Sequence, residues 1–231
     1  MTSNGAVVPS RRTLGVLCGA GVASFAVCAA IVADGRVSGP EAAAFHAINR
    51  WPDAVEPALW AFQLCGVLAV PMLLAVVAWA LHRRQLALVL AAIVPVKLAL
   101  EHLVVKQLVE RQRPGLALCH LDRSCASFRN VPLTGASFPS GHAMIAWAVA
   151  TVLWWELPGR WRWLPVALAL LNSVARVYLG AHDPLDLVGG AGLGVAMAAG
   201  LLLVERSWRR PSGHPGSGRP SASVGRIPAG S

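Results

Sequence analysis

SGHAMIAWAVATVLWWEL, residues 140–157, places a Ser-Gly-His triplet directly in front of an unbroken apolar run. A helix that crosses a bilayer needs roughly 20 apolar residues. This stretch comes close, so its outer end is expected to lie below the membrane surface. Residues 14–33, 58–81, 86–105, 163–179 and 185–204 have the same character. Composition agrees: the 231 residues are 55% hydrophobic and 13% charged, with mean hydropathy +0.56. A soluble domain carries about 25% charged residues. The expected fold is all-α, a bundle of six transmembrane helices over residues 14–204. A short tail, 1–13, precedes it. A basic tail, 205–231, follows; its Pro, Gly, Ser and Arg cannot bury a core, and it is expected to be disordered.

The net charge of +9 and pI near 10.6 would suggest nucleic acid in a soluble protein. Here the arginines sit between apolar runs, so topology accounts for them and no nucleic-acid partner is expected. Arg11, Arg12, Arg83, Arg84, Arg160, Arg162, Arg206, Arg209 and Arg210 share one side. The positive-inside rule then puts both termini in the cytoplasm of a multi-pass plasma-membrane protein, with loops 34–57, 106–139 and 180–184 outside. The segment SRRTLGVL looks like a twin-arginine signal. Because further spans follow it, residues 14–33 are read as an uncleaved anchor. Pro71 and Pro95 fall inside spans, where kinks are tolerated. Gly190 and Gly194 have the small-xxx-small spacing of close helix packing.

Ser140 is a favoured N-cap, Gly141 lets a ligand approach the backbone, and His142 falls in the first turn. A helix N-terminus of this kind suits phosphate. The same four letters, Pro-Ser-Gly-His, recur at 211–214, but no helix follows them, and that copy is read as a coincidence of the tail. Alone, the first copy is a capped helix with an interfacial His. Its company changes the reading. Lys106 ends the third span and Arg113 lies in the loop after it; by themselves they are a snorkelling Lys and a solvated Arg. Arg176 lies about one turn inside the end of the fifth span, where a charge is expensive unless it pairs or binds something. His182 and Asp186 follow. Capping by Asp183 with Pro184 at the first helical position explains those two residues but neither Arg176 nor His182. Alternation of the spans puts all three clusters on one side of the membrane. Three cations around a helix N-terminus describe an anion site, with phosphate the obvious anion.

Lys106, six residues, Arg113-Pro114; Pro139-Ser140-Gly141-His142; then Arg176, five residues, His182, three residues, Asp186: in this order and spacing the chain resembles the type 2 phosphatidic acid phosphatase superfamily, over roughly residues 86–204. The departure is Ala175, where the family usually has Ser. The resemblance implies an integral-membrane phosphatase that needs no metal or cofactor. It would hydrolyse a lipid phosphate or pyrophosphate: polyprenyl pyrophosphate, phosphatidylglycerol phosphate or phosphatidic acid. His182 would attack phosphorus and become a phosphohistidine, Asp186 would orient it, and His142 would protonate the leaving group and then activate water. Lys106, Arg113, Ser140, Gly141 and Arg176 would bind the phosphate at the extracytoplasmic end. Phosphotransfer to a lipid or sugar hydroxyl stays open as an alternative, as does a non-catalytic anion-binding membrane protein. Lys97 and Glu101, at i,i+4 in the third span, read as a structural ion pair rather than a proton relay. Residues 115–138 are expected to cover the site. Cys119 and Cys125 could staple that cover if it faces an oxidising compartment.

Overall fold

Ser10 caps helix α1 (Arg11–Ile31) by accepting the Thr13 N–H at 2.9 Å. The computed structural model describes residues 8–101, 109–120, 122 and 124–208. After α1 comes α2 (Gly39–Asn49), a capped helix inside the stretch read from sequence as an outward loop. Then follow α3 (Glu56–Gln63), α4 (Ala69–Ala80), α5 (Arg84–Ala99), a single turn α6 (Pro114–Ala117), α7 (Gly141–Glu156), α8 (Trp163–Tyr178) and α9 (Pro184–Trp208). Among the described residues there is no β-strand, only an isolated bridge between Gln112 and Ala136.

Residues 58–81 do not form the continuous span expected of them. A 3-10 turn, Leu64–Gly66, separates α3 from α4, and the two halves bend by 63°. The cause is a close approach to α7. A Cβ on Gly66 would fall 2.6 Å from the carbonyl oxygen of His142, so only Gly lets the backbone pass. The break frees the Gln63 carbonyl, and the buried Asn172 side chain donates to it at 2.8 Å. Pro71 sits in the first turn of α4, where its missing N–H costs nothing.

Among the described residues, two helices, α1 and α9, are long and apolar enough to cross a membrane alone, or three spans if the bent pair counts as one. The six-span count expected from hydropathy exceeds this. α7 and α8 have 16 residues each, about 24 Å at 1.5 Å per residue. Val16, Val27, Leu73, Val76, Leu88, Leu170 and Val204 are exposed on the outer faces of five different helices. So much apolar surface on every side is untenable in water and marks a membrane protein.

The core is built around α7, whose Ala143, Met144, Ala148 and Val152 are fully buried. α9 packs between α1 and α7. On one flank a Cβ on Gly192 would lie 2.7 Å from the Gly21 carbonyl oxygen. On the other, the Gly190 and Gly194 face takes the backbone of α7 at Ser140 and Met144, as their spacing suggests. This packing brings the first turns of α7 and α9 together, and the Ser140 N–H donates to the Asp186 carbonyl at 2.9 Å.

Candidate active site

The start of α7, the α8–α9 connection and the segment before α6 meet at one end of the bundle. His182, His142, Arg113, Arg176 and Gly141 line a single cavity of about 680 Å³ there. The cavity also has an apolar wall, Val67, Leu68 and Ile145. Ser140 is fully buried at the rim of this arrangement, and its Oγ accepts the Ala143 N–H at a long 3.5 Å. Gly141, the first residue of α7, lines the cavity beside Arg113 and Arg176, so the positive end of the helix dipole lies on the side that holds the cations. Lys106 lies outside the described residues, as do His102 and the second Pro-Ser-Gly-His at 211–214.

Each of the two guanidinium groups is held by a neutral oxygen. Arg113 donates from Nη1 to the Ala181 carbonyl at 3.0 Å, which ties it to the turn that carries His182. Arg176 donates from Nη1 to Gln63 Oε1 at 2.7 Å, and its buried Nε has no hydrogen-bond partner among the described residues. Among the described residues neither guanidinium forms a salt bridge, and the two together leave positive potential for an anion.

His182 sits in the turn between α8 and α9, with Nδ1 3.5 Å from Asp186 Oδ2. The Ser137 hydroxyl donates to the same Asp186 oxygen and lies 3.3 Å from His182 Nδ1. With Nδ1 turned to the carboxylate, Nε2 remains for the cavity. Burial pushes His182 down to about 4, against the pull of Asp186, so the imidazole is neutral near pH 7. Asp183 does not cap α9 with its side chain. Among the described residues neither of its buried oxygens has a hydrogen-bond partner, and burial next to Asp186 pushes it up to about 8. The capping acceptor comes instead from α2: Glu41 Oε1 takes the Leu185 N–H at 3.0 Å. Asp186 Oδ2 accepts the Asp183 N–H at 3.0 Å, as a third-position acid does in a capping box.

A family model described as the PAP2 superfamily matches residues 84–210, more than half of the chain. The chain belongs to the PAP2 superfamily. The crystal structure of Aquifex aeolicus LpxE has the same fold, with a TM-score of 0.56 at 22% identity over 68% of this chain and 92% of that one. An undecaprenyl-diphosphatase of Sulfolobus acidocaldarius is 45% identical over 62 residues, which is 26% of this chain and 30% of that relative. The match thus spans under a third of the curated relative.

Several polar residues at and around this cavity escaped the sequence reading. Ser137, Gln63, Glu41 and Arg111 have no local signature, because each acts through a partner distant in the chain. The hint at Glu41 is a Ser-x-x-Glu pattern from Ser38, but that pattern announces a helix start and nothing more. Lys97 and Glu101 do form the expected ion pair, yet both also line the cavity. A Cβ on Gly141 would lie 2.9 Å from Lys97 Nζ, which sets that ammonium against the start of α7. Ala175, the departure from the superfamily pattern, is fully buried among Leu59, Tyr178 and Leu179 and faces α3. The Cys119–Cys125 disulfide is formed, with Cα atoms 5.5 Å apart, in the segment between α6 and α7.

Proposed function

We propose that the protein is an integral-membrane phosphatase that hydrolyses a lipid phosphate or diphosphate through a phosphohistidine. Support comes from one observation above the rest: a single cavity lined by two imidazoles, two guanidinium groups and the start of a helix, with an apolar wall beside them. An amphiphile with a phosphate head and a tail left in the bilayer fits that combination of surfaces. The named relative favours a polyprenyl diphosphate among the candidates.

In this reading His182 Nε2 attacks phosphorus, a P–N bond forms and the P–O bond to the leaving group breaks. The leaving oxygen takes a proton from His142. Water then gives a proton back to His142 and attacks the phosphohistidine, the P–N bond breaks, and phosphate leaves with His182 restored. Asp186 holds the imidazole in the tautomer with Nδ1–H, as the carboxylate of a hydrolytic triad does. Arg113, Arg176, Lys106, Ser140 and the Gly141 N–H take up the charge of the phosphoryl oxygens. Uncatalysed phosphomonoester hydrolysis is among the slowest known reactions, so such charge stabilisation has a large barrier to lower. The chain crosses the plasma membrane six times, α5, α7 and α8 adding to the longer helices, with both termini cytoplasmic and the site outside.

Phosphate release from polyprenyl diphosphate, phosphatidylglycerol phosphate and phosphatidic acid by the detergent-purified protein in EDTA tests this. Release is expected, inhibited by vanadate, lost in His182→Ala and kept in His214→Ala. No release from any of the esters, together with no acid-labile phosphoprotein, rejects the reading. Reporters fused to each loop test the orientation.

A further inference from the structure

Arg111 is among the largest fully buried side chains of the molecule, and three carboxylates surround it. Its Nη1 and Nη2 donate to the two oxygens of Glu41 at 3.1 and 2.6 Å. Nη1 also donates to Asp186 Oδ1 at 2.8 Å. Asp183 Oδ2 lies 3.9 Å away, beyond hydrogen-bond distance. Asp186 therefore divides its oxygens: Oδ1 faces the guanidinium and Oδ2 faces His182 and Ser137. Glu41 belongs to α2, outside the residues that match the superfamily model.

We propose that Arg111 and Glu41 are positioning residues, a Glu41-anchored guanidinium that fixes Asp186 and through it aims His182 into the cavity. This rests on the phosphatase reading. A buried ion pair alone is weak evidence for stability, since apolar side chains of equal volume often serve as well. What distinguishes this one is its geometry. A planar fork can grip Glu41 and still reach Asp186, which an ammonium cannot do. Arg111 and Glu41 also act on His182 in opposite senses. Removing the cation takes away the charge that competes with His182 for Asp186, so His182 holds a proton more tightly. Removing the Glu41 charge frees Arg111 for Asp186, and His182 loses its proton more readily. Among the described residues, the other charged or titratable groups that act on His182 are Arg176 from α8, Arg113 before α6 and His142 from α7, and neither change alters them.

Two profiles of the full-length protein in detergent test the proposal. One is kcat/KM against pH. The other is carbethoxylation of His182 by diethyl pyrocarbonate against pH, read by mass spectrometry, since only the neutral imidazole reacts. Arg111→Gln is expected to move the acid limb of both up by about one pH unit, roughly a tenfold loss of neutral His182 below the limb. Glu41→Gln is expected to move both down. Arg111→Lys keeps the charge and loses the fork, so its limb stays while kcat falls at least tenfold with little change in KM. Limbs that stay put, or that move the same way in Arg111→Gln and Glu41→Gln, overturn the proposal. If Arg111→Gln does not fold, Glu41→Gln decides alone, and an unmoved limb overturns it. Opposite carbethoxylation shifts in a protein that releases no phosphate would uphold the positioning of His182 and reject the phosphatase reading. Phosphate release with unmoved limbs would do the reverse.

Discussion

His182 and Asp186 face each other across one helical turn, Nδ1 3.5 Å from Oδ2, with the Ser137 hydroxyl reaching both. Asp186→Asn keeps the shape but offers an N–H where the imidazole needs an acceptor. It is expected to lower kcat by about 10³–10⁴-fold with the fold intact. Single-turnover phosphate release, with circular dichroism as the control, checks this. Ser137→Ala removes only the shared hydroxyl and should cost far less than Asp186→Asn in the same assay.

Gln63 holds Arg176 by one neutral hydrogen bond at the break between α3 and α4. Gln63→Leu leaves the guanidinium charged but unaimed, and kcat/KM is expected to fall about tenfold. Arg176→Ala removes the charge itself and is expected to cost about 10²–10³-fold in kcat. Steady-state kinetics on one lipid phosphate ranks the two, and equal losses would contradict the geometry.

Lys97 and Glu101 are a buried pair against the start of α7. Lys97→Met removes the ammonium from this pair and is expected to destabilise the fold. Replacing both by Met should return most of that stability. If Lys97 serves the substrate as well as Glu101, activity will stay low in the double variant. Thermal unfolding in detergent and kcat/KM, measured on the same preparations, separate the two contributions.

Gly190 and Gly200 lie on the same helix with opposite surroundings. A Cβ at Gly190 would meet the Ser140 carbonyl oxygen at 2.6 Å, whereas none of the described residues lies within 4 Å of one at Gly200. Gly190→Ala is expected to cost about 1–3 kcal/mol and to reduce activity by pushing α7 away from Asp186. Gly200→Ala should leave activity unchanged and stabilise by up to about 1 kcal/mol through helix propensity. Melting temperature and turnover, measured for both, check the contrast.

Asp183 gives the stability a pH dependence of definite sign. Its carboxyl titrates at 3.8 when unfolded and at about 8 when folded, so the folded state holds the extra proton and stability falls as pH rises through that interval. His182 acts the other way between about 4 and 6.5, because there the unfolded state holds the extra proton. The two effects oppose each other below pH 6.5, and the window from 6.5 to about 8 belongs to Asp183. Wild-type melting temperature is expected to drop across that window, and Asp183→Asn should flatten the drop.

The apolar runs at 140–157 and 163–179 became α7 and α8 almost residue for residue. A side chain in a span answers mainly to lipid and to its nearest helices, so hydropathy marks it without help from distant chain. The run at 58–81 failed for the converse reason: its course is set by the backbone of α7 at His142, which no local pattern reports. The same division runs through the site. His142, His182, Asp186, Arg113 and Arg176 stand at helix ends, where spacing and alternation bring them to one face.

Sequence alone therefore determined the helical class, the membrane setting and which polar residues stand at the helix ends that meet, because apolar length and helix-end placement are local properties. Tertiary structure decided what grips those residues. Glu41, Gln63, Arg111 and Ser137 reach the site through partners far away in the chain. A buried charge tolerates only a matched neighbour, and the identity of that neighbour is fixed by how the helices pack.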